Sequence, residues 1–356
     1  MNEFDFINRL RRQTNSRSHS SRLIAGIGDD ASIIRQTSGR DLVVTTDLLV
    51  EGVDFYLNAT PPRLLGHKAL AVSLSDVAAM GARPLWSFLS FGLPRERWET
   101  NFKDEFMEGY LALADRFGVA LSGGDVSESN AGIVIDSIVI GEVESGAAVK
   151  RSGARPGEQI YVTGNLGGAA AGLKLIEMGH LSEPPAVASG PISAPSKTAE
   201  AGPPATAGGS DTAIQSLILR QLCPDPRVGW GMVLGEQHLA TAMIDISDGL
   251  SSDLHHLSRE SNVGALIDAS SIPLDDNVKH LCGRRALDPL ALGLHGGEDF
   301  ELLFTVAVED VKRLPKRVDG IPMARIGTVT AAPSIQIQER DRLWDLLPQG
   351  FAHFKR

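Results

Sequence analysis

The sequence predicts an α+β protein of two domains, and three observations carry that expectation. The chain has 356 residues, about two domains' worth at roughly 150 residues each. Its strand-like and helix-like segments alternate without the regular period of a doubly wound sheet. A turn rich in Gly and Pro, Lys150 to Gly157 (KRSGARPG), follows the longest strand-like run and divides the chain into residues 1–150 and 151–356.

The elements follow in order. Phe4, Ile7 and Leu10 recur at near-helical spacing, which predicts a short N-terminal amphipathic helix. Leu42–Thr46 (LVVTT) reads as a strand. Pro61–Met80 opens on prolines, continues in helix formers and stops at Gly81, so it reads as a helix, and 101–117 as a second. Val119–Ser122 and Ile133–Val143 read as strands, the latter long enough to lie centrally in a sheet. Residues 158–163, 213–222, 231–242, 249–260, 264–268 and 300–306 continue as mixed strands and helices. Between them, Leu181–Ser210 is rich in Pro, Ala, Gly and Ser with almost no large apolar residue, and reads as a disordered insertion.

Composition excludes several classes. With 42% hydrophobic and 22% charged residues the chain is globular, and its apolar runs are far short of the ~20 residues that span a bilayer. Gly132–Gly141 is such a run, and Asp136 interrupts it. The N-terminus has no apolar signal segment, so a cytoplasmic protein without membrane attachment is expected. Cys223 and Cys282 are distant and form no metal-site pattern. A net charge of -10 opposes nucleic acid, yet an acidic protein still binds polyanions when metal ions bridge its carboxylates to them.

The chemistry-bearing signal is Asp beside Gly or hydroxyl residues, repeated at Gly28-Asp29-Asp30, Thr45-Thr46-Asp47, Gly123-Gly124-Asp125, Asp245-Ile246-Ser247-Asp248-Gly249 and Gly297-Glu298-Asp299. One such group is an ordinary turn or cap. Several at the ends of apolar strands offer hard oxygen ligands to one cleft, which suits Mg2+. Asp76 adds a separate argument. It falls among Leu65, Ala69, Val72 and Met80 on a helix whose other side is also apolar, where a carboxylate needs Lys68, an arginine or a metal as partner. Gly167 to Gly172 has phosphate-loop glycine spacing but is followed by Leu173 and Lys174 rather than Lys and Ser/Thr, so Gly164–Gly172 reads as a strand-to-helix turn.

GIGDDASI, TTDLLVEGVDF, HKALAVSLSDVAAMGARP, SGGDV, KRSGARPGEQIYVTGNLGGAAAG, DISDGLSSDLHHLS and GGEDFELLFT occur in the order found in the thiamine-monophosphate kinase family, which the chain resembles over nearly everything but the insertion. The resemblance implies a two-domain fold like that of aminoimidazole ribonucleotide synthetase, dimeric through the N-terminal sheets, with ATP and several Mg2+ ions between the domains. It implies transfer of the γ-phosphoryl of ATP to thiamine monophosphate, giving thiamine diphosphate. Carried over by motif position, Asp30, Thr45, Thr46, Asp47, Asp76, Asp125, Asp245 and Asp248 form the implied metal set. Gly124, Asp125, Arg151 and Ser247 are the implied nucleotide contacts, with Asp125 and Arg151 in catalysis, and Asp54, Glu298 and Phe351 the implied contacts to thiamine phosphate. The chain departs from many members at Asp54, Val126-Ser127, Phe300 and Phe351. The alternatives are another ATP-dependent synthetase of the same superfamily and a non-catalytic nucleotide-binding regulator.

Overall fold

A computed structural model describes residues 3–15, 22–25, 27, 32–180, 209–285 and 287–351. The expected insertion lies outside the described residues as far as position 208, and Asp30 lies outside them too. An N-terminal helix, Glu3–Asn15, leads to a four-stranded sheet in the order Arg40–Val50, Val134–Glu144, Arg83–Leu93, Ala120–Glu128. The long strand expected to be central is central, antiparallel to both neighbours. The last pair is parallel, a geometry that requires a crossover, and the Phe102–Phe117 helix supplies it.

Period-two alternation gives this sheet two unlike faces. Leu49, Leu89, Phe91, Ile135 and Val139 point into the core, where the Pro62–Ala79 helix and the Phe102–Phe117 helix cover them. The two helices touch backbone to backbone, because a Cβ at Gly66 would stand 1.9 Å from the Phe106 carbonyl oxygen. The Pro62–Ala79 helix is apolar nearly all round and accordingly buried nearly all round. Its remaining side packs on the Val228–Glu236 helix and the Ala242–Asp245 strand, so one hydrophobic core runs from the first sheet into the second.

The second sheet runs Arg342–Asp345, Ile335–Glu339, Gly264–Asp268, Ile321–Thr330, Gln159–Thr163, Leu302–Val306, Ala242–Asp245, with Arg317–Val318 paired to Ile321–Thr330. All its pairs are antiparallel except Ile335–Glu339 with Gly264–Asp268. The fold is α+β with two mixed sheets, as expected. No element was expected over Arg83–Leu93, a strand paired on both sides whose bulge between Pro84 and Trp86 breaks the alternation. The strands after residue 317 were not expected either.

The glycine-rich turn is structural. Gly167 at φ 84 opens the Gly168–Glu177 helix, and Asp299 accepts from Gly167 N at 2.6 Å and Ala169 N at 3.1 Å. The chain's own carboxylate thus occupies the place an incoming phosphate would take.

Candidate active site

The first and second sheets meet at the end of the buried helix, and a cleft of about 760 Å3 opens there. Thr45, Asp76, Lys150, Arg151 and Asp245 line it. Asp76 stands one turn before the helix end and accepts a hydrogen bond from the Thr45 hydroxyl of the neighbouring strand. Asp245 ends the Ala242–Asp245 strand, is wholly buried, and accepts from Ser75 Oγ at 2.7 Å. Asp47 shares the inward face with Thr45, since alternate residues of a strand point the same way, and its Oδ2 is buried with no hydrogen-bond partner.

These three carboxylates raise one another's proton affinity. Burial, then Asp76, pushes Asp47 up to about 7. Burial followed by Asp76 does the same to Asp245, also to about 7, while Ser75 and Arg151 pull the other way. Asp76 itself is raised by burial, against the Thr45 hydrogen bond and the Arg151 charge. The partner of Asp76 is therefore not Lys68, which pairs elsewhere; Arg151 is the cation whose field reaches it. Asp253 follows the same pattern, pushed up to about 8 by burial and then by Asp245 and Asp248. It accepts from the backbone N–H groups of Asp248 and Gly249 and so fixes the turn that carries the Asp-Ile-Ser-Asp motif.

The donor set suits a hard divalent cation: oxygens only, excess negative charge, and a buried acceptor with nothing to accept from. Among the described residues, no three His, Cys, Asp or Glu side chains converge into a group able to hold an ion alone. Mg2+ is ordinarily bound by one or two carboxylates together with substrate phosphates, so the set fits an ion that arrives with a nucleotide.

Not every implied ligand joins this cluster. Thr46 is adjacent to Asp47 and so faces the opposite side of the sheet, where its hydroxyl donates to Asp136 Oδ1 at 2.6 Å. Asp125 is exposed and accepts from Val126 N at 2.9 Å; its register partner is Ser90, which in turn pairs with Asp136, so it shares the face of Thr46 rather than that of Asp47. Gly124 before it is required, with φ 149 and a backbone so close to its neighbour that a Cβ there would stand 2.0 Å from the Leu89 carbonyl oxygen. Asp136 was legible as the acid interrupting an apolar strand, but not as a partner of Thr46.

The implied acceptor contacts are drawn together from distant parts of the chain. Glu298 sits at φ 64, its N–H donating to Ser247 O at 2.8 Å. Its carboxylate pairs with the buried Lys68 at 2.8 Å. Asp54 closes the turn after the first strand by accepting from Val50 N at 2.8 Å, and its carbonyl oxygen lies 3.5 Å from Lys68 Nζ. Phe351 is half-exposed and its N–H donates to Asp248 O at 3.1 Å, which brings the end of the described chain onto the Asp-Ile-Ser-Asp turn.

Fold and site together define a two-domain protein of the aminoimidazole ribonucleotide synthase-related class. Residues 28–143 match the family model described as AIR synthase related protein, N-terminal domain, and residues 228–339 that of the C-terminal domain. Within this class the chain belongs to the thiamine-monophosphate kinase family. The thiamine-monophosphate kinase of Salmonella typhimurium is 36% identical over 351 residues, covering 95% of each chain. The crystal structure of thiamine-monophosphate kinase from Stenotrophomonas maltophilia K279a superposes with a TM-score of 0.78 at 34% identity, covering 95% of this chain and 97% of the other. AaThiL complexed with AMPPCP and TMP superposes at 0.71 with 30% identity, covering 96% of each.

Proposed function

We infer that the chain transfers the γ-phosphoryl of ATP to thiamine monophosphate, forming thiamine diphosphate and ADP. The observation that carries this reading is the gathering of three mutually repelling carboxylates, Asp47, Asp76 and Asp245, the last two lining one cleft with Arg151. Charge so arranged is costly for a protein that binds nothing there, and it matches a metal-bridged polyphosphate. Thr45, Asp47, Asp76 and Asp245 would hold Mg2+ from the inward side. Asp30, Thr46, Asp125 and Asp248 complete the proposed set by motif position. Bound Mg2+ would neutralise the charge that develops on the transferring phosphoryl group.

The remaining work falls to side chains. The attacking atom is a phosphate oxygen, already anionic near neutral pH, so a strong general base is not needed. Arg151, whose planar fork matches phosphate oxygens, clamps the nucleotide from the cleft wall, with Gly124, Asp125 and Ser247 as further nucleotide contacts. Asp54, Glu298 and Phe351 receive the acceptor, Phe351 as an exposed ring for stacking on its cationic thiazolium.

The same reading assigns residues 1–150 to metal and nucleotide binding and to dimer formation, and 151–356 to the second domain. The outward face of the first sheet exposes Leu42, Val44 and Leu48, a patch suited to a second copy of the chain. Among the described residues no helix is long and apolar enough to cross a membrane, and ATP as co-substrate is in keeping with a cytoplasmic site of action. The test is incubation of the purified protein with ATP, Mg2+ and thiamine monophosphate. Thiamine diphosphate is the expected product, abolished by excess EDTA while the fold persists; full activity in EDTA would remove the metal assignment.

A further inference from the structure

Lys68 is almost wholly buried, 1% exposed, on a helix surrounded by apolar residues. A buried ammonium is tolerated only where its hydrogen bonds and charge are answered. Here Nζ meets both oxygens of Glu298, at 2.8 and 3.0 Å, and approaches the Asp54 carbonyl oxygen. Gln221, on the Gly209–Leu222 helix, donates its amide to the same Glu298 oxygen from another direction. The carboxylate of Glu298 is thus gripped by residues 230 and 77 positions away in sequence, yet remains 28% exposed.

We propose that Lys68 is a positioning residue that holds Glu298 toward the acceptor. The proposal rests on thiamine monophosphate as acceptor. Lys68 touches no reacting atom. It acts through Glu298, whose backbone hydrogen bond to Ser247 ties this end of the site to the Asp-Ile-Ser-Asp turn.

The test measures thiamine monophosphate affinity by calorimetry, with a non-hydrolysable ATP analogue and Mg2+, alongside the KM for ATP. Lys68→Met should weaken acceptor binding at least tenfold with the KM for ATP within twofold. Because the lysine works through the carboxylate, adding Lys68→Met to Glu298→Gln should cost less than a further twofold. That double variant strands no charge, so it gives the answer even if Lys68→Met alone does not fold. Independent, multiplying losses, or an unchanged acceptor affinity in Lys68→Met, would overturn the positioning role. A wild-type protein that binds the analogue of ATP but no thiamine monophosphate would instead overturn the functional reading, and the clamp with it.

Discussion

Asp47, Asp76 and Asp245 are buried and raise one another's proton affinity, which makes their stability contribution depend on pH in a definite sense. Their folded-state proton affinities lie above the ordinary carboxylate value, so the folded protein holds more protons than the unfolded chain between about pH 4 and about 7. Stability without metal or nucleotide is therefore fully present at low pH and lost as pH rises through that window. Asp76→Asn keeps the shape and removes one charge. We predict that the metal-free variant melts at or above wild type at pH 7.5, with little difference at pH 5. Turnover should fall at least about 100-fold, since a charge facing the polyphosphate is lost. A destabilised variant with near-normal turnover would instead make Asp76 a structural ion-pair member. Asp76 was legible because an acid on a helix apolar nearly all round has no bland place to go. That the Thr46 side chain meets Asp136 on the face opposite Asp47 was not legible, because a motif names neighbours, whereas a strand sends neighbours to opposite faces.

Among the elements, long periodic segments were readable and the bulged Arg83–Leu93 strand was not. The Pro62–Ala79 helix carried its own start and stop signals. Arg83–Leu93 lies between two neighbours with both faces partly covered, so its pattern approaches a continuous apolar run, and periodicity alone cannot separate that from a buried helix. Lys68, Gln221 and Glu298 meet only through the assembly of two helices and a loop, and no local spacing announces such a contact. Composition does speak for residues 181–208, which precede the Gly209–Leu222 helix and offer little to pack. Replacing them by a short glycine linker should leave turnover within about twofold, because loop-closure entropy changes by only ~1 kcal/mol for a several-fold change in length. Collapse of activity in a folded deletion variant would show that the segment contributes to the site.

At the scale of the whole molecule, the two sheets are joined by one core, and the cleft lies where the buried helix emerges between them. The first sheet's outward strands leave Val44 at 61% and Leu48 at 59% exposed, a cost that a second copy would relieve. Light scattering should give a dimer for wild type and a monomer for Val44→Asp combined with Leu48→Asp; a monomeric wild type would leave that face for another partner. In the proposed reaction the γ-phosphoryl of ATP passes to another phosphate, and ATP radiolabelled at the γ-phosphorus follows it. With thiamine monophosphate and Mg2+, the label should appear in the terminal phosphate of thiamine diphosphate, one for each ADP formed. Label released as inorganic phosphate, with thiamine monophosphate left unchanged, would contradict the account and point to a synthetase acting on a different acceptor.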